Sequence, residues 1–125
     1  MEQITIANLY EDLENRLGRL RQHPERVIAS RKRVEAALTE DEPYYGINTG
    51  FGTLAREKIS ADQLNQLQRN LLFSHAVGTG DWIPKEISRL MLQLKIHALG
   101  LGYSGVSLPV FERLLYFHER NLIPA

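Results

Sequence analysis

The chain has 125 residues, 43% hydrophobic and 24% charged, and reads as one folded domain rather than a disordered segment. Lys plus Arg and Asp plus Glu both number 15, so the zero formal charge gives no reason to expect nucleic acid or an anionic membrane as partner, and it does not oppose self-association. The absence of Cys excludes disulfides, thiolate nucleophiles and Cys-based metal sites.

Met1 to Ile6 carry no basic patch followed by an apolar run, and no apolar stretch is long enough to span a membrane, which favours the cytoplasm. Leu9, Leu13, Leu17 and Leu20 then recur at helical spacing with Glu11, Glu14, Arg16 and Arg19 between them, an amphipathic helix. His23-Pro24 interrupts it, because a residue before Pro is pushed out of the helical region. Pro24 suits the first turn of a second helix carrying Val27, Ile28, Val34 and Leu38. From Asp41 to Ala55 the pattern fails. Gly46, Gly50 and Gly52 fall within seven residues, which neither helix nor strand favours, so this is a long loop. Ser60 with Gln63 three residues on predicts a capping box opening a third helix through Leu64, Leu67, Leu71, Leu72, Phe73 and Val77. Asp81-Trp82 is expected to cap and anchor the turn that follows Gly78 and Gly80.

Pro84 opens a fourth helix. It has one apolar face of Ile87, Leu90, Met91, Leu94, Ala98 and Leu101, and a second of Leu92, Ile96 and Leu99, which predicts packing on two sides. Gly100, Gly102 and Gly105 end it, and a last helix follows Pro109 with Val110, Leu114 and Phe117 on one side. The fold class is all-α: a bundle of about five helices with a long Gly-rich loop, residues 1–125 forming one domain.

The loop glycines match neither a phosphate loop nor a dinucleotide fingerprint, and no strand precedes them. They permit a mobile backbone and close approach to a ligand, with Tyr44 and Tyr45 at the leading edge and Asn48 and Thr49 adding polar groups. A phenol, with a pKa of about 10, becomes a base near neutral pH only where donors or positive charge stabilise its anion. The same residues also read as a Gly-rich turn with a packed tyrosine. His75 shares a stripe with Leu64, Gln68 and Leu71, which fits a core histidine as well as a site residue beside Ser74. His97 and His118 lack metal-ligand spacing, so no metal site is expected.

Tyr45-Gly46-Ile47-Asn48-Thr49-Gly50-Phe51-Gly52 resembles the tyrosine loop of the aromatic amino acid ammonia-lyases. Leu67 to Gly80, with Ser74-His75-Ala76 inside it, resembles the helix that follows that loop, and Gly102-Tyr103-Ser104-Gly105-Val106 a third element. Order and spacing agree from about Val27 onward. Asn48, where the phenylalanine- and tyrosine-specific members usually carry Thr, and Ser74-His75-Ala76 together resemble the histidine-specific branch.

The resemblance implies part of a larger, mainly helical lyase that eliminates ammonia from L-histidine to give urocanate, in a homotetramer. It implies Tyr45 as catalytic base or proton shuttle, and His75 and Asn48 at the substrate. It also implies a methylidene-imidazolone electrophile made from an internal Ala-Ser-Gly. No Ala-Ser-Gly occurs in these 125 residues, so the chain by itself is expected to be an inactive amino-terminal part. The alternatives are a segment of a tyrosine or phenylalanine ammonia-lyase or aminomutase, and a non-catalytic helical interaction module.

Overall fold

The computed structural model describes residues 4–40, 42–50, 52 and 59–123. A single 3-10 turn, Ile6–Asn8, leads into α1 (Leu9–Gln22), followed by α2 (Glu25–Thr39), α3 (Ala61–His75), α4 (Lys85–Gly100) and α5 (Leu108–Glu119). Among the described residues no strand forms, so the architecture is all-α. Contacts divide the chain into two compact units, residues 1–33 with 82–125, and residues 34–81.

The first unit holds the hydrophobic core. Leu13 and Leu17 of α1, Val27 of α2, Leu92, Ile96 and Leu99 of α4, and Phe111 and Leu115 of α5 are buried together. The α1 stripe is the one its Leu spacing predicts, and α1, α4 and α5 pack pairwise around it. One carboxylate ties these three helices. Glu14 of α1 accepts from Gln93 Nε2 of α4 at 2.8 Å and from His118 Nε2 of α5 at 3.2 Å, with Arg89 of α4 3.6 Å away. Gln93 and His118 are buried, and each thereby gains a partner that offsets part of its desolvation.

After α4 the chain turns close against α2. Gly102 has φ 78°, and a Cβ there would lie 2.7 Å from the Arg26 carbonyl oxygen, so both conformation and space demand glycine. Gly105 donates its N–H to the buried Ser30 Oγ at 2.9 Å.

Four local expectations are corrected. Ser60 precedes α3, but its side chain makes no capping bond; the turn closes through the Ser60 carbonyl, which accepts from Gln63 and Leu64 N–H. The helix stops at His75, two residues short of Val77, with Ala76 N–H bonded to the Leu72 carbonyl. Trp82 is 81% exposed and does not anchor its turn. The last helix starts at Leu108, before Pro109 and not after it; its inward residues are Phe111, Leu115 and His118, with Leu114 and Phe117 packed partly against the core and Val110 half exposed.

Candidate functional site

The second unit carries the loop and the helix singled out by their residues. At the end of α2 the chain leaves the helix and folds into a tight turn. Ile47 N–H donates to the Tyr44 carbonyl at 3.0 Å, closing a four-residue turn with Tyr45 and Gly46 at its corners. Gly46 has φ 76°, and Tyr45 is not among the positive-φ residues, which is the type II pattern. That turn needs a left-handed third residue, and glycine supplies it without a Cβ penalty. Tyr45 therefore sits at the first corner, 64% exposed.

The two adjacent tyrosines differ in exposure and in position within the turn. Tyr44 donates its phenolic O–H to the Glu40 carboxylate. That bond, reinforced by desolvation and by the charges of Glu40 and Glu42, raises the Tyr44 pKa above the ordinary phenol value. Tyr44 is thereby held as the neutral phenol and is unsuited to accept a proton. Tyr45 alone of the pair combines exposure with the turn's corner. Glu40 is not among the residues that the sequence singles out; its only signal is a spacing of four residues from Tyr44 at a helix end.

Asn48 and Thr49 are buried, at 2% and 0% exposure, and Gly50 is buried beside them. Asn48 Oδ1 accepts from Tyr44 N–H at 2.7 Å, and its Nδ2 donates to the Glu42 carbonyl at 2.9 Å. Thr49 Oγ1 donates to the Gly50 carbonyl at 3.0 Å. Gly52 has φ 59°, a second left-handed position. Asp41, Phe51 and residues 53–55 of the expected loop, and residues 56–58 after it, lie outside the described residues.

His75 stands at the last turn of α3 and is exposed, with none of the burial a core histidine would have. Its Nδ1 lies 2.9 Å from the Leu71 carbonyl and 2.9 Å from Ser74 Oγ. A carbonyl only accepts, so Nδ1 carries a proton, and in the neutral ring Nε2 is then an acceptor. Ser74 Oγ in turn donates to the same carbonyl at 3.1 Å. The flanking Leu72 and Phe73 are also exposed, at 73% and 70%. Tyr45, Asn48 and His75 thus all belong to the second unit, the phenol and the imidazole exposed and the amide enclosed. Among the described residues no group of three His, Asp or Glu could hold a metal ion.

The family model for aromatic amino acid lyase matches residues 5–125. The chain is 45% identical over 100 residues to a histidine ammonia-lyase of Legionella pneumophila (strain Lens), covering 80% of this chain and 20% of that protein. It is 40% identical over 124 residues to the histidine ammonia-lyase of strain Paris, covering 98% of this chain and 24% of that protein. A histidine ammonia-lyase of Bartonella tribocorum is 46% identical over 93 residues, 74% of this chain and 18% of its own length. The chain therefore spans about a fifth of the length of the curated relatives it matches.

Proposed function

The chain belongs to the aromatic amino acid lyase family, and we propose that it is the segment of a histidine ammonia-lyase that supplies the proton-removing phenol and a ligand for the substrate ring. The reaction is the non-oxidative elimination of ammonia from L-histidine to give urocanate. Tyr45 removes the β-proton, and His75 accepts a hydrogen bond from the substrate's imidazole N–H through Nε2. The observation that carries this reading is the division of labour in the tyrosine pair: Tyr44 is committed to Glu40, and Tyr45 is exposed at the turn's corner. The His75 tautomer supports it, because a buried polar ring needs a complementary partner and an acceptor suits an N–H.

A methylidene-imidazolone would supply the electrophile that makes ammonia a better leaving group. Its Ala-Ser-Gly precursor is absent from these 125 residues, so the residues present do not provide the group. We read residues 1–125 as one domain of a cytoplasmic, homotetrameric enzyme; no described helix is long and apolar enough to cross a membrane.

The test uses a full-length lyase containing this segment, offered L-histidine, L-tyrosine and L-phenylalanine, with the unsaturated product followed by absorbance. Preference for L-histidine and loss of turnover in Y45F are expected. Preference for either other amino acid would select the tyrosine or phenylalanine branch, and no turnover of any would favour a helical interaction module. The 125 residues alone, lacking Ala-Ser-Gly, are expected to turn over none.

A further inference from the structure

We propose that Asn48 is a positioning residue for Tyr45, fixing the turn that carries the phenol instead of touching substrate; this rests on the reading of Tyr45 as the proton-removing group. The side-chain amide spans the loop from residue 48 back to residues 42 and 44. Oδ1 accepts from Tyr44 N–H at 2.7 Å, and Nδ2 donates to the Glu42 carbonyl at 2.9 Å. The backbone of the same residue closes two further links. Its N–H reaches the Tyr44 carbonyl at 3.2 Å, and its carbonyl accepts from Ile59 N–H at 2.8 Å. Tyr45 lies inside the ring so formed, between Tyr44 and Asn48, whose peptide groups are bonded to each other.

Only an amide suits this place. The two backbone groups it satisfies are of opposite type, a donor at Tyr44 and an acceptor at Glu42, and they face the two ends of one planar group. An Asp is isosteric and accepts from Tyr44, but its carboxylate repels the Glu42 carbonyl. A Thr has a single oxygen, too short to serve both. At 2% exposure Asn48 offers almost no surface to a ligand.

The experiment pairs kinetics with hydrogen exchange on the full-length lyase, using N48A, N48D and Y45F. We expect N48A to lower kcat about tenfold or more, with KM for L-histidine changed less than about threefold, the split anticipated when an interaction matters chiefly in the transition state. Amide exchange of Tyr44 should accelerate about tenfold in N48A, as loss of one net hydrogen bond implies, while exchange of Ile96 in α4 stays unchanged and certifies the fold. N48D, which keeps the Tyr44 bond, should retain Tyr44 protection and still lose kcat. A raised KM with unaltered kcat would overturn the proposal in favour of direct substrate contact, and so would unchanged Tyr44 exchange in N48A. Wild-type turnover in Y45F would overturn the reading of Tyr45, while Tyr44 exchange in N48A would still decide whether the amide braces the turn.

Discussion

Two neighbouring phenols occupy different positions of one turn, and Glu40 raises the pKa of Tyr44. Tyr44 begins the turn, where its ring reaches back to Glu40 after the end of α2; Tyr45 occupies the first corner and stands exposed. The glycine at the second corner makes this possible. At φ 76° a Cβ is strained, so G46A should destabilise the unit by more than about 1 kcal/mol and should displace Tyr45 as the turn changes type. Tyr44 amide exchange, read beside a thermal melt, checks both effects; a G46A protein with unaltered melting and exchange would show that the turn tolerates alanine. The glycines, Tyr45 and His75 were legible as residues, and their order matched a known pattern. The roles of Glu40 and of the Asn48 amide were not. Both depend on where a turn folds side chains back onto groups four to six residues away, and side-chain chemistry in a loop does not encode that by period.

Helix positions were legible where punctuation is strong: Pro24, Pro84 and Pro109 each fall within a residue or two of a helix start. Which face of a helix is buried was harder to read. The apolar pattern of α4 offers two stripes, and the described structure buries the smaller, Leu92, Ile96 and Leu99, leaving Ile87, Met91, Leu94 and Ala98 exposed. Gln93 and Ser88 are buried on the chosen side, where Gln93 meets Glu14. The two stripes predict packing on both sides; only one is covered among the described residues, because pairing between helices is a tertiary choice. The two stripes should respond unequally to truncation. I96A, at a residue with 0% exposure, should cost about 2–5 kcal/mol through lost transfer energy and a cavity. M91A, at 57% exposure, should fall within about 0.5 kcal/mol of the parent. Denaturant unfolding of both variants measures this, and a costly M91A would mean that the exposed stripe is covered in solution.

At the scale of the whole molecule, a half-buried histidine and the exposed apolar side chains bear on solution behaviour. His97 of α4 has its pKa lowered, first by burial and then by Arg16 of α1. The folded state therefore favours the neutral ring. Its stabilising contribution is complete above the unfolded value of about 6.5 and declines as pH falls from there toward the lowered folded value. The melting temperature should drop between about pH 7 and pH 5, and H97Q should flatten that drop; an identical pH profile in H97Q would assign the effect to other groups. In the first unit Ile87 and Met91 on α4 are exposed, as are Trp82 and Tyr103 in the connections, the last two more than 80%; in the second unit Leu72 and Phe73 on α3 are exposed. Covering apolar area gains about 25 cal/mol per Å², so a few hundred Å² removed from water contributes several kcal/mol. With zero net charge, repulsion between copies does not counter that gain. The isolated 125 residues should therefore self-associate at micromolar concentration and bind a hydrophobic dye. Light scattering across a tenfold dilution checks it. M91K in the α4 stripe should weaken association without lowering stability, because the lysine replaces a side chain that the fold leaves in water. A clean monomer mass at every dilution, with no dye bound, would mean that the helices close over these residues unaided.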